Sequence, residues 1–315
     1  MAPAIVLSVL LTRTAEAEAC GLCGCSLAPP GDISFSAIGW DLPQPGTLRL
    51  SLENRESFHT TTPHANVLET TFESRTSLFL AWTPFRVVTL QWLVPAVYRT
   101  VESSDGIGAA RAFGLGDSDL SARFQVFGGG SGTTRHGIFL SAGVKMPFAM
   151  NYRGPDGTPL GHAAQIGTGS WDPIASASYV GAFDRFSFFA IESLRFTTEG
   201  RGGWRAGSAF ISTLALRYSL GDSLALLLSA DGIYASADRL SGARIADTGG
   251  FLAYVTPSAL MQLAPTTMLR VALQIPVAYV NAGTQTESVA FLVSLVFTHI
   301  PEPEAVPATS SSPMI

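Results

Sequence analysis

The stretch Ser288-Val289-Ala290-Phe291-Leu292-Val293-Ser294-Leu295-Val296-Phe297-Thr298 decides how this chain folds, because its apolar residues fall on alternate positions. Val289, Phe291, Val293, Leu295 and Phe297 are large and apolar, whereas Ser288, Ala290, Leu292, Ser294 and Thr298 are mostly small or polar. A period of two belongs to an extended strand, whose successive side chains point to opposite faces. The run exceeds the usual globular strand of about 5–6 residues and reaches the roughly 9–11 residues that cross a bilayer at a tilt.

Moving outward, the same pattern returns. Residues 266–280 set Leu269, Val271, Leu273, Ile275, Val277 and Tyr279 against Arg270 and Gln274, and residues 222–235 set Leu224, Leu226, Leu228 and Tyr234 against Ser223, Ala225, Ser229 and Asp231. Read this way, strands are predicted near 47–58, 66–82, 85–100, 115–127, 137–149, 171–182, 185–197, 205–219, 222–235, 249–263, 266–280 and 287–298. Connections at Thr83-Pro84, Phe183-Asp184, Leu220-Gly221 and Ala264-Pro265 are tight, and those at 101–112, 150–170, 198–204 and 236–246 are long and polar. Short turns at one end and long loops at the other, with an even strand number, predict an all-β, antiparallel, up-and-down transmembrane barrel of about twelve strands. The glycine-rich connection 128–136 is long where a tight turn is due.

Composition agrees. Charged residues are 14% of 315, against a typical ~25%, yet the hydrophobic content is 47%. Mean hydropathy is +0.29. No apolar run reaches the ~18–20 residues of a spanning helix, so a bilayer would be crossed by strands. A soluble β-sandwich or propeller also alternates, but it would hide its apolar face and show charge outside. Aromatic residues at segment ends, Trp82, Phe85, Trp92, Tyr98, Trp171, Phe183, Trp204, Tyr218, Tyr234 and Tyr279, suit an interfacial girdle. One lysine, singly scattered arginines and a net charge of −5 leave no basic block for nucleic acid.

Residues 1–19 read as a signal peptide, with an apolar stretch Ala4 to Leu11 and the small-x-small site Ala17-Glu18-Ala19. Cleavage there would leave a periplasmic segment, 20–46, that opens on Cys20-Gly-Leu-Cys23-Gly-Cys25 and continues through Pro29-Pro30-Gly31. Acylation of Cys20 as a lipoprotein is the alternative. The three cysteines are a local disulfide with one spare thiol, or a thiolate site for copper(I) or zinc; no other cofactor is expected. The barrel is expected over 47–299 and a disordered tail over 300–315. Both termini then lie in the periplasm, with loops at Ser104, Gly157 and Ala243 outside and turns at Pro84, Gly221 and Pro265 in the periplasm.

Parity also assigns the lumen, since charge facing lipid is costly. Arg49, Glu53, Arg55, Glu69, Glu73, Arg75, Gln91 and Arg99 share the polar face of the first strands. Asp119, Arg123, Gln125, Lys145, Arg217, Asp231 and Arg270 extend it. These side chains line a polar conduit, or they pair and fill the barrel; about twelve strands falls between the filled and the open case. No enzyme is predicted: there is no G-x-S-x-G element, and the five histidines fall in loops or at strand ends. Asp117 and Asp119, two apart beside Arg123, are expected to form a solvated ion pair with it rather than a metal or acid–base pair.

Gly114-Leu115-Gly116-Asp117-Ser118-Asp119-Leu120, then Gly143-Val144-Lys145-Met146-Pro147-Phe148, then Gly167-Thr168-Gly169-Ser170-Trp171-Asp172 resemble the bacterial outer-membrane barrels grouped as transporters of the phenol meta-pathway type. The resemblance spans most of the chain after residue 19. It implies a monomeric pore or uptake barrel in the outer membrane for small compounds, hydrophobic ones among them, placed there by the barrel insertion machinery. One departure stands out: Phe297 is followed by His299-Ile300-Pro301-Glu302 and a Pro/Ser tail, where such barrels usually end on an aromatic residue. The second reading is a barrel that conducts nothing and serves as an anchor or a surface-interaction protein through loops 101–112 and 150–170; a soluble secreted β-protein is the third.

Overall fold

A computed structural model describes residues 44–64, 67–104, 109–154, 157–246, 248–281 and 286–301. Residues 1–43, which hold the expected signal peptide and the three cysteines, and the tail beyond Pro301 lie outside the described residues. Twelve antiparallel strands close into a barrel. They are β1 Leu48–His64, β2 Val67–Phe85, β3 Val88–Ser103, β4 in two segments (Ala110–Leu115 and Ser118–Ser131), β5 Thr134–Met146 and β6 Asp172–Phe183. Then follow β7 Phe186–Arg195, β8 Ala209–Ser219, β9 Leu224–Ala235, β10 Gly250–Ala264, β11 Thr267–Asn281 and β12 in two segments (Thr286–Glu287 and Ala290–His299). Each strand pairs with its sequence neighbours, and β12 closes on β1 from Leu48↔His299 to Glu56↔Phe291, so no edge is left open.

The polarity is turned inside out relative to a soluble domain. Leu50, Leu52, Leu78, Leu90, Leu140, Leu214, Leu226, Leu228, Val271, Leu273 and Phe291 lie on the outer wall and are exposed, while Glu73, Arg75, Arg99, Lys145, Asp172, Arg195 and Arg270 are buried inside. Polar groups interrupt the outer wall at several positions, among them Glu56, Glu102 and Arg111, which are exposed. Glu192 accepts a hydrogen bond from Ser212 Oγ at 2.8 Å, and Asn54 donates to Ser74 and Thr76.

The loop-length asymmetry is present. At one end the connections are residues 86–87, 132–133, 184–185, 220–223 and 265–266, and the described chain ends meet there too, with Pro301 against Gly46. At the other are 104–109, 147–171, 196–208 and 236–249, together with a very short β1–β2 link at 65–66. The glycine-rich exception disappears, because Gly128, Gly129 and Gly130 stay in β4 paired with Gly137, His136 and Arg135, and the turn is only Gly132-Thr133. Pro84 lies in β2 at a register shift, and Arg86-Val87 makes the turn.

Two expectations about the girdle are corrected. Trp204 is buried among the loops, stacked 4.7 Å from His162. A bulge in β11 near Val277 shifts register, so Tyr279 pairs with the inward Leu252 and Val280 takes the outward position beside Phe251. An extra residue in one strand reverses parity beyond it.

Candidate functional site: the charged lumen and its inserted loop

All fifteen side chains predicted to line the lumen, Arg49, Glu53, Arg55, Glu69, Glu73, Arg75, Gln91, Arg99, Asp119, Arg123, Gln125, Lys145, Arg217, Asp231 and Arg270, fall on the inward parity of their strands. They form local clusters rather than one row. Glu73 is clamped by Arg75 Nε at 2.9 Å and by Arg99 Nε at 3.0 Å, and Arg99 is 1% exposed. On the adjoining strands β1, β12 and β11, Glu53 accepts from Arg270 at 3.4 Å and from Ser294 Oγ at 2.5 Å, and Arg55 donates to Gln274 at 3.0 Å. Asp231 is held by Thr213 Oγ1 at 2.8 Å and Thr256 Oγ1 at 3.2 Å. Buried carboxylates and cations are stable only when paired or hydrogen-bonded in this way.

The second cluster gathers the three motifs quoted from the sequence. One extra residue at Gly116-Asp117 separates the two segments of β4: Ala96 pairs with Leu115, but Leu93 pairs with Asp119. That bulge brings Asp117 into the lumen as well as Asp119. Lys145 Nζ lies 2.6 Å from Asp172 Oδ2 and 3.3 Å from Asp117 Oδ2, and it donates to Thr168 Oγ1 and Ser170 Oγ. Asp117 in turn accepts from the backbone N–H of Thr168 at 2.8 Å and of Ala149 at 3.2 Å. Gly167 is required there, since a Cβ would come within 2.5 Å of both Asp117 Oδ1 and Ala149 Cβ. The expected solvated pairing of Asp117 and Asp119 with Arg123 is therefore replaced: Asp117 pairs with Lys145, Asp119 with Arg195 at 2.7 Å, and the Arg123 guanidinium sits 3.8 Å over the Phe139 ring.

This cluster anchors both ends of the 147–171 connection, and the middle of that connection turns into the barrel mouth. Ile166 is fully buried against Val97 and Ala112. Gln165 bonds the backbone carbonyls of Tyr152 at 2.9 Å and Leu160 at 3.0 Å, while its own carbonyl accepts from Arg99 Nη1 at 2.6 Å. Arg99 thus ties the wall carboxylate Glu73 to the inserted loop. Sequence reading missed Gln165 and Ile166, for which no local signal exists, and Asp172 and Arg195, which sit at strand ends where parity is hard to count. It also set His59 outside the strands, whereas His59 lies in β1, buried and inward.

Beside the charged clusters, part of the lumen wall is apolar. Phe139, Val180, Phe189, Ala215, Ala225, Leu227 and Leu260 pack together in its lower part, and Ala209, Ile211, Ile233, Ala235, Leu252 and Tyr254 in its upper part. Between the walls, lined by Phe79, Gln91, Leu93, Asp119, Ser141 and Ser176 among others, remains a cavity of about 30 Å³, room for about two waters. Among the described residues no group of three or more metal-ligating side chains occurs. Cys20, Cys23 and Cys25, the predicted soft-metal ligands, lie outside the described residues.

An outer membrane channel from Pseudomonas putida F1 superposes on this structure with a TM-score of 0.64 at 14% identity, over 82% of this chain and 98% of that one. The likeness is one of fold, a closed antiparallel β-barrel. The translocator domain of the autotransporter NalP from Neisseria meningitidis matches at TM-score 0.45 and 11% identity, over 84% of this chain and 93% of that one. The CymD monoaromatic hydrocarbon channel matches at 0.40 and 8%, over 81% and 88%. No protein-family model matches the sequence, and no curated protein matches it either.

Proposed function

We propose that this chain is a monomeric outer-membrane channel of narrow bore through which small molecules pass passively, its loop end outside and its short turns in the periplasm. The observation that carries the proposal is the inward array of ionisable side chains along the whole barrel, from Arg49 and Arg217 near the short turns, through Glu73 and Arg99, to Glu69 near the mouth. Lining charge of both signs biases permeation, whereas a barrel that only anchors itself is filled more cheaply with apolar side chains. Because charged and apolar patches adjoin along the lumen, the fitting solute is a small amphipathic compound; this keeps the hydrophobic compounds of the phenol meta-pathway type transporters in play only if they carry a polar group.

The second reading, a barrel that conducts nothing and serves as an anchor or surface-interaction protein, draws on the inserted loop and the small residual cavity. Planar-bilayer recordings separate the two. If 147–171 is the restriction, the wild type opens in small steps and Arg99→Gln, which cuts the tie between Glu73 and the Gln165 carbonyl, raises conductance several-fold. Silence from both proteins, each confirmed as a folded barrel by heat-modifiable gel mobility, would leave the anchoring reading.

A further inference from the structure

Three arginines stand side by side outside the lumen. Trp204–Arg205, Arg239–Leu240 and Ala243–Arg244 form a small three-stranded sheet on the loops at the barrel mouth, in the order 244, 239, 205. Its register places Arg205 opposite Arg239 and Arg239 opposite Arg244, while Trp204 and Ala243 face Leu240. Alternation then divides the sheet: Trp204 and Leu240 pack inward with Ala206 and Ile245, and the three arginines are exposed together on the other face. Directly opposed like charges destabilise a ladder. Among the described residues no carboxylate pairs with Arg205, Arg239 or Arg244. A sheet that collects three cations and leaves them without a counter-ion is built for an anion supplied from elsewhere, and the planar guanidinium fork suits phosphate.

What adjoins the row narrows the source of that anion. Arg239 and Arg244 line a groove of about 530 Å³ with Ser236, Thr248, Gly249, Tyr234 and Val280. Tyr234 and Val280 belong to the outer, lipid-facing wall at its upper end, where they are 57% and 71% exposed. The groove therefore has a cationic upper rim and an apolar floor continuous with the outer wall. A free anion has no use for that floor, but an amphiphile with phosphates on its headgroup and acyl chains below meets both surfaces at once.

We propose that Arg205, Arg239 and Arg244, with the Tyr234–Val280 floor, bind the phosphorylated headgroup of an outer-leaflet glycolipid. The inference rests on the outer-membrane placement proposed above, but not on conduction. Native mass spectrometry of the full, detergent-purified barrel titrated with bis-phosphorylated lipid A tests it. The expected result is tight 1:1 binding that weakens at least tenfold with dephosphorylated lipid A. It should also weaken at least tenfold in Arg239→Ala/Arg244→Ala, and remain in Arg111→Ala, which removes an exposed arginine elsewhere on the outer wall. Equal binding by the double variant and the wild type overturns the proposal. So does displacement of lipid A by inorganic phosphate at concentrations comparable to the lipid's own, which makes the row a free-anion site. Conductance of the same samples is read separately: a barrel that binds lipid A through these arginines but is silent loses only the transport reading, and one that conducts but binds without them loses only the lipid site.

Discussion

The charged wall of the lumen, carried by β1–β7, and its apolar wall, which runs from the lower part of β5–β7 across β8–β10, share one interior and are made from different materials. On the first, Glu73, Arg75, Arg99, Asp119, Lys145, Asp172 and Arg195 are tied into ion pairs, and an inserted loop completes them. On the second, apolar side chains pack against each other, and across β8–β10 only Arg217 and Asp231 carry charge inward. The two walls solve burial differently: the apolar one has few polar groups to satisfy, whereas the charged one pairs most of its buried groups and leaves a few, such as Ser51 Oγ and Arg195 Nε, without a hydrogen-bond partner. Apolar packing degrades by increments as atoms are removed, whereas a charge cluster is coupled, so that losing one member strands the others. The charged wall should therefore be the brittle one.

Lys145→Met breaks that contrast most severely. It leaves Asp117 and Asp172 buried without their cation, and a loss of about 3–5 kcal/mol is expected for one partner removed from a buried pair. Urea unfolding in detergent, followed by tryptophan fluorescence, measures it; a midpoint within error of the wild type would mean that the cluster is hydrated and not brittle. Phe189→Ala is the matching lesion in the apolar wall. It should cost about 3 kcal/mol, at the lower end for a buried aromatic, because the lumen beside it can admit water. If it destabilises more than Lys145→Met does, the ranking of the walls is reversed.

A third variant sharpens the comparison without unfolding anything. Arg75→Glu places a second acid beside Glu73 and should move the reversal potential toward cation selectivity, while Leu226→Ala and Val293→Ala, on the lipid-facing side, leave it unchanged. Selectivity that stays put in Arg75→Glu, with conductance intact, removes the charged wall from the permeation path.

The smallest effect expected is at the mouth, outside the membrane-spanning strands. Asp238 is buried in the 236–249 loop, where it accepts the Gly207 N–H at 2.6 Å, and burial pushes its carboxyl up to about 7. Between the ordinary carboxylate value of 3.8 and about 7, the folded loop holds a proton that an opened loop has released. The loop junction is therefore tightest at acid pH, loosens as pH rises through that window, and changes no further above it. Amide exchange at Gly207, corrected for its intrinsic pH dependence, should run several-fold faster at pH 8 than at pH 5, and Asp238→Asn should abolish the difference. A persistent difference in that variant would assign the effect to another group.

Much of this molecule could be read without coordinates because a barrel wall is a local object. Each strand must turn greasy side chains to lipid and polar ones inward, so period-two alternation in residues 288–298 and its repeats was enough for the strand number, the loop asymmetry and the inward face of every lumen residue named from Arg49 to Arg270. In two of the places where the reading failed, a single inserted residue was responsible. The bulge near Val277 turned Tyr279 inward, and the bulge at Gly116 brought Asp117 beside Lys145, neither visible in a pattern that counts only odd and even.

What the chain order alone determined is therefore the wall, since alternation and turn chemistry act between residues close in sequence or on adjacent strands. Only the tertiary structure decided what fills it. Arg99 meets the Gln165 carbonyl 66 positions away, Asp119 meets Arg195 across 76, and Glu53 meets Arg270 across 217. Those contacts depend on closure of the barrel and on how far one loop descends into it, geometric quantities set by all twelve strands together.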